Sequence, residues 1–338
     1  MEEVRELLRK LARGESLTED ESYRVVKAFV ENEATPAQTG AFIMATALKG
    51  TTADELLGAV RLFREKALKP GFDGSSFVDT AGTGGDGLHT VNVSTLAALV
   101  AAGAGAKVAK HGNRSVSSRS GSADLLEALG ARVELMPEEA GRVAREVGFV
   151  FLFAPVYHPA MKSIAPARKE VGVRSLFNLV GPLVNPAGVK RQLIGVYAPE
   201  LLELFAEVLT RLGVERAFVV HGEEGLDEVS PSGPTRVVKV EGGRVESFTF
   251  RPQELGLEPV ELEKLRVSSS QESAERALAL LEGRELPEKS AVLLNASFAL
   301  VAAGLAGELK EAYEMARASL EEGKALKVLK AFVEATRS

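Results

Sequence analysis

An α/β protein, with a largely parallel central sheet flanked by helices and a small all-helical domain beside it, is predicted by three observations. The first seventy residues carry only helical periodicity. From residue 71 onward, short β-branched segments alternate with helical ones. Residues 159–190 interrupt that alternation with helical and irregular sequence ending in GPLVNP (181–186).

The elements follow in order. Val4, Leu7, Leu8 and Leu11 recur at helical spacing on one face. Thr18 with Glu21, Thr35 with Gln38, and Thr52 with Glu55 have capping-box spacing, and Pro36 sits at a first helical position. Gly14 and Gly50 are placed as stops. Ala37, Phe42, Ile43, Ala45 and Ala47 make the third helix apolar nearly all round, which predicts burial or packing against another subunit. The GFDG stretch (71–74) breaks the helical run. Strands are predicted near 76–80, 106–110, 149–153, 192–197, 216–220, 235–239 and 245–250. Helices are predicted near 92–103, 122–130, 138–147, 200–212, 272–282, 289–303, 308–321 and 325–336. Such alternation implies a parallel sheet covered on both faces. If 159–190 returns to the N-terminal helices, the helical domain is 1–70 with 159–190, and the α/β domain is 71–158 with 191–338.

Composition narrows the function classes. Apolar residues make up 45% of the 338 and charged residues 26%, and no run approaches the ~20 apolar residues that cross a bilayer. The opening MEEVRELLRKLARG lacks the apolar core of a signal peptide, so a cytoplasmic location is expected. With no cysteine, disulfides and thiolate metal sites are excluded. A net charge of −6 without a long basic tract argues against a nucleic-acid binder.

The stretch VDTAGTGGDGLHTVNVST (78–95) carries Gly82, Gly84 and Gly87 in the spacing of a dinucleotide fingerprint. A dinucleotide site starts its helix inside the glycine run and places a ribose-binding acid about twenty residues on. Here the helix is expected to begin at Asn92, and Lys107 and Lys110 stand where the acid belongs. Asp86 within the loop would also repel a bare pyrophosphate, and no Gly-Lys-Ser/Thr follows. The nicotinamide and Walker readings fall. What remains is a loop of exposed N–H groups, a helix start at NVST (92–95), and a strand ending in KHGNRSVSS (110–118). These are phosphate-binding parts, with Lys110 and Arg114 supplying charge, although each alone is equally a capped helix or a serine-rich turn. Ligands of open α/β sheets sit at the carboxyl ends of strands.

A later strand end opens HGEEGLDEVSP (221–231). Adjacent Asp227 and Glu228 are ordinarily solvated surface, but beside a polyphosphate cradle they suit Mg²⁺, which takes one or two carboxylates plus substrate phosphates.

Together GTGGD (82–86), NVST, KHGNRSVSS, ARKEVGVRSLFNLVGPLVNP (167–186) and LDEVSP (226–231) resemble the anthranilate phosphoribosyltransferases, in that family's order and across nearly the whole chain. The resemblance implies a helical domain plus an α/β domain akin to class II nucleoside phosphorylases, and a homodimer formed through the helical domain. It implies transfer of phosphoribose from phosphoribosyl pyrophosphate to anthranilate, in tryptophan biosynthesis, with Mg²⁺. Donor contacts are then expected at Gly82, Gly85, Asp86, Thr90, Asn92, Val93, Ser94, Thr95, Lys110, His111, Gly112, Asn113, Arg114, Ser115, Val116, Ser117, Ser118 and Ser122. Mg²⁺ ligands are expected at Ser94, Asp227 and Glu228, and anthranilate contacts at Gly82, Asn113 and Arg168. Lys110, Asp227 and Glu228 are expected to act electrostatically, with no general base assigned, because an aromatic amine is already neutral at pH 7. Without the resemblance, Arg168 reads as a solvated helix residue and Asn113 as a turn former, while His111 and His158 stay open. The alternatives are a pyrimidine nucleoside phosphorylase of the same fold and a non-catalytic, nucleic-acid-binding relative.

Overall fold

The computed structural model describes residues 2–114 and 121–338, and the chain divides into two compact units, Met1–Leu68 with Pro155–Pro186 and Lys69–Ala154 with Ala187–Ser338.

The first unit is all-helical. It contains α1 (Glu2–Ala12), α2 (Glu19–Val30), α3 (Pro36–Lys49) and α4 (Ala53–Lys66), and a short α8 (Ala154–Tyr157) leads the chain back to α9 (Ala165–Val171) and α10 (Leu176–Val180). All three expected capping boxes form, so each of these helix starts is satisfied by its own sequence. Helices α2 and α4 touch backbone to backbone at Gly58, where a Cβ would lie 2.3 Å from the Glu19 carbonyl oxygen. Beneath them the buried Glu55 carboxylate accepts from the Leu17 and Thr52 N–H groups, each at 3.0 Å, and from the Lys49 ammonium at 3.0 Å. A buried charge is tolerable when it is paired this fully. Helix α3 buries Thr39, Phe42, Ile43 and Thr46, with Phe42 edge-on to Phe29 at 5.2 Å. Its other face leaves Leu48 81% exposed, so the helix is one-sided rather than enclosed.

The second unit is a seven-stranded sheet with helices. In chain order it holds β1 (Val78–Gly82), α5 (Val93–Gly103), β2 (Val108–Gly112), α6 (Ser122–Ala128), α7 (Pro137–Val147), β3 (Phe149–Phe153), β4 (Arg191–Gly195), α11 (Leu201–Arg211) and β5 (Arg216–Gly222). Then come β6 (Thr235–Glu241), β7 (Arg244–Phe250), α12 (Ser270–Leu281), α13 (Lys289–Ala303), α14 (Leu309–Glu321) and α15 (Lys324–Arg337). The order is β3-β2-β1-β4-β5-β6-β7, with β1 to β5 parallel and β6 and β7 antiparallel. All seven strands expected from the sequence are present, and the largely parallel α/β class holds. The parallel strands are continuous apolar runs because both faces are covered; FVFLF in β3 is buried at every position. Helix α13 is buried from Ala291 to Ala303 and packs beside α5 and over β4.

The site is positioned by strand order. The chain builds outward from β1 through β2 to β3, then restarts with β4 on the other side of β1. Loops leaving β1 and β4 therefore diverge, opening a crevice beyond their carboxyl ends. Register aligns those ends, with Gly82 of β1 beside Gly195 of β4 and Gly195 beside Val220 of β5.

Candidate active site

The glycine loop leaves β1 and runs to α5. Gly84, Gly85 and Gly87 hold φ of 65°, 81° and 75°, a left-handed path that side chains resist, and the helix starts only at Val93, with Asn92 capping the Thr95 N–H at 3.1 Å. A helix starting after the loop, not within it, disposes of the dinucleotide reading. The loop is tied to β4: the Thr83 N–H donates to the Gly195 carbonyl at 2.9 Å, and the Thr83 hydroxyl accepts from the Tyr197 N–H at 3.1 Å.

The loop following β5 comes to the same place. The Gly84 N–H donates to the Asp227 carboxylate at 2.8 Å, and the Ser94 N–H at the start of α5 donates to Glu228. Asp86 lies alongside Asp227. Three carboxylates from two loops, far apart along the chain, thus share one crevice with the glycine loop and the start of α5, whose Gly84 and Ser94 N–H groups they engage.

Electrostatics at that point are strained. Burial first, and the neighbouring Asp86 second, push the Asp227 carboxyl up to about 7. Burial and the adjacent Asp227 likewise raise Glu228 well above the ordinary carboxylate range, with Lys110 opposing. Lys110 is 1% exposed, and burial lowers its pKa while Asp79, Glu228 and Asp227 pull it upward. Its ammonium donates to the Thr80 carbonyl and, at 3.2 Å, to the Ser94 hydroxyl. It therefore sits beneath the loop and acts on the crevice as buried countercharge, through Ser94.

One lysine does not balance this cluster, and a divalent cation would. Among the described residues no group of three or more His, Cys, Asp or Glu side chains makes a metal site by protein alone. That donor set fits Mg²⁺, which keeps waters and completes its shell with substrate phosphates. It lacks the histidine or cysteine ligands that dominate Zn²⁺ sites.

The raised carboxyls predict a pH effect. A carboxyl whose pKa is higher folded than unfolded favours folding while protonated, so its contribution is present below about pH 4 and lost as pH climbs through the folded value. For Asp227 that upper limit is about 7. The thermal midpoint of metal-free Asp227→Asn, relative to the unaltered protein, is expected to rise between pH 5 and pH 8. Parallel calorimetric curves across that range would remove the burial effect.

The remaining sequence-predicted residues fall as follows. Val93 and Thr95 point into the core, leaving only their backbone for a ligand, whereas Asn92 and Ser94 face the loop side. Thr90 bridges Arg266, Gly82 is exposed at the end of β1, and Gly85 lies in the loop. His111 is buried, and its backbone N–H donates to Asp79 at 3.2 Å. Gly112 closes β2 against Phe151 and Ser122. The Asn113 side chain accepts the Arg114 N–H at 2.7 Å. The Arg114 guanidinium is paired with Glu127 and lies over the Phe153 ring at 5.3 Å. Ser115, Val116, Ser117 and Ser118 lie outside the described residues. In the helical unit His158 is buried, and Arg168 on α9 is half-buried, with burial lowering its pKa.

Sequence reasoning missed four supporting residues: Thr83, Gly195, Asn295 and Arg276. Gly195 has a readable signal, a glycine closing an apolar strand; a Cβ there would lie 1.6 Å from the Asp227 carbonyl oxygen. Asn295 also had one, as a lone amide inside AVLLNASFAL.

A sheet with a crevice at its switch point, together with a helical bundle unit, is the two-domain architecture of one glycosyl transferase class. The α/β-domain model of the glycosyl transferase family matches residues 74–326, and that family's helical bundle domain matches 5–67. The anthranilate phosphoribosyltransferase of Aquifex aeolicus is 56% identical over 99% of this chain and 98% of its own. That of Thermus thermophilus has a crystal structure with TM-score 0.91 at 45% identity, covering 98% of this chain and 99% of its own. The Saccharomyces cerevisiae enzyme, solved in complex with PRPP and Mg, gives TM-score 0.90 at 27% identity over 99% of this chain and 98% of its own. The chain belongs to the anthranilate phosphoribosyltransferase family. All three of these relatives are named anthranilate phosphoribosyltransferase. Among the described residues no helix is long and apolar enough to cross a membrane.

Proposed function

We propose that the protein transfers the phosphoribosyl group of phosphoribosyl pyrophosphate to the amine of anthranilate, giving N-(5-phosphoribosyl)anthranilate and pyrophosphate in tryptophan biosynthesis. The observation that carries this reading is the meeting of the glycine loop, the start of α5 and the Asp227–Glu228 pair in one acidic crevice. Family membership supplies the chemistry that such a crevice serves. The cofactor is Mg²⁺, held by Ser94, Asp227 and Glu228, and it supplies positive charge against the departing pyrophosphate.

The chain's own residues do the rest. As the anomeric carbon gains positive character, negative charge grows on the leaving group, and the glycine loop with the start of α5 is the part of the chain that receives it. Lys110 lowers the cost of that charge from below. Gly82, Gly85, Asp86, Thr90, the 92–95 helix start, His111 to Arg114, and Ser122 contact the donor, while Lys110 acts from behind Ser94. No base is required: the aromatic amine is neutral, and positioning it in line can lower the barrier by ~7–11 kcal/mol at best.

In the helical unit, Arg168 is the residue that takes the anthranilate carboxylate. The Arg168 guanidinium is partly desolvated, and among the described residues no carboxylate pairs with it, which supports a carboxylate ligand. The protein acts in the cytoplasm as a homodimer formed through the helical domain; the exposed Met44 and Leu48 on α3 support that face.

Loss of anthranilate fluorescence, dependent on both the sugar donor and Mg²⁺, tests the activity. No consumption by the purified protein would sink it. Arg168→Ala is expected to raise the KM for anthranilate by ~10- to 100-fold, the value of a charge-assisted bond of ~1.5–3 kcal/mol, with far less effect on the donor. The reverse pattern would refute the assignment.

A further inference from the structure

Helix α13 carries two buried polar anchors on one face. Glu288, at its start, is 0% exposed, and Asn295 is 1% exposed seven residues on, two turns along the same side. Neither belongs to the site described above, and an amide inside an apolar helix persists only when its hydrogen bonds are met.

Asn295 reaches the acidic loop. Its Oδ1 accepts the Val229 N–H at 2.9 Å, and its Nδ2 donates to the Val229 and Ala291 carbonyls, each at 2.9 Å. Val229 directly follows Asp227 and Glu228, so this two-sided clamp grips the backbone next to the pair.

Glu288 reaches the glycine loop through Arg276 of α12. The guanidinium binds the Glu288 carboxylate through Nε at 3.0 Å and Nη2 at 2.5 Å. It also donates to the carbonyls of Lys264 at 2.7 Å and Arg266 at 3.0 Å. The segment held in this way pairs with the far arm of the glycine loop. The Val91 N–H donates to Leu265 at 2.8 Å, the Val267 N–H donates to His89 at 2.9 Å, and Thr90 bridges Arg266. Between those bonds His89 has φ of 54°, a left-handed conformation that a non-glycine residue keeps only when its surroundings over-determine it.

We propose that Asn295 and the Arg276–Glu288 pair are positioning residues, and that α13 is the common frame setting the spacing between the glycine loop and the acidic pair. That spacing is what a diphosphate with its cation must match, so the pair and the amide act on donor binding without touching the donor. This inference rests on the functional reading above for its kinetic consequence, though not for its structural one.

Substitutions at two positions of the full chain test it. Arg276→Lys keeps a positive charge beside Glu288 but cannot span two carboxylate oxygens and two carbonyls together. Asn295→Ala removes the clamp, and Asn295→Ser replaces it should the alanine variant not fold. Hydrogen exchange is expected to quicken at least tenfold in 84–91 for Arg276→Lys and in 226–230 for the Asn295 variant. The KM for the sugar donor is expected to rise at least fivefold in each, with the KM for anthranilate within twofold. Unchanged exchange in those segments overturns the frame. So does a loss of thermal stability with both Michaelis constants steady or moving together. An unaltered protein that never consumes anthranilate defeats the functional reading instead, and the exchange rates still decide whether α13 holds the loops.

Discussion

Replacing Asp227 and Glu228 together by Asn and Gln is expected to lower turnover by roughly 10²-fold or more and to flatten the dependence of rate on Mg²⁺. Both carboxylates are disfavoured in their ionised form: burial raises both, and Asp86 adds to the penalty at Asp227. Such a penalty is unfavourable for folding and persists where something other than stability gains from it. The amides keep the shape and most of the hydrogen-bond geometry, including an acceptor for the Gly84 N–H, so the fold should survive with its thermal midpoint undiminished. Titrating Mg²⁺ at saturating donor separates the outcomes. Lower turnover with unaltered metal dependence would leave the pair as structural support and return the cation to other ligands.

Gly195→Ala is expected to have the second large effect. The added methyl would lie 1.6 Å from the Asp227 carbonyl oxygen, an overlap no rotamer can relieve because a Cβ is fixed by its backbone and its partner is a main-chain carbonyl. Either β4 or the acidic loop must move. Overpacking costs about 1–3 kcal/mol, and this site belongs at the top of that span because the β4 register with β1 and β5 resists displacement. Moving Asp227 and Glu228 by even about 1 Å should cost roughly 10²-fold in rate. Gly307→Ala is the control, since a Cβ there meets nothing within 4 Å. Thermal denaturation with steady-state rates should show the Gly195 variant losing both stability and turnover while the Gly307 variant keeps both. Equal behaviour of the two would mean that the loops are not pressed together at β4.

Much of this protein is determined locally. Thr18, Thr35 and Thr52 each cap their helix through a partner three residues away, so those starts could be read without any tertiary knowledge. The β-branched runs and their spacing specify a parallel sheet because a strand covered on both faces must be apolar throughout. The loops bearing the candidate site were legible for a related reason: glycines with positive φ and a serine-asparagine helix start are chemical requirements of the backbone itself. The shape of α3 was not, because its apolar count does not say which side finds a neighbour; Phe29 and Phe177 settled that.

Only the tertiary structure decided what meets what. Gly84 and Asp227 are far apart in sequence and hydrogen-bonded in space because β4 restarts the sheet beside β1, a choice of strand order that no local pattern encodes. The same is true of Lys110, whose charge reads as a ligand contact in sequence and lies buried behind Ser94 in the fold. Asn295 and Arg276 became visible only once α13 was seen to reach both loops. Local grammar follows from backbone geometry and side-chain chemistry within a few residues; the convergence of distant loops follows from sheet order and packing, which are properties of the whole chain.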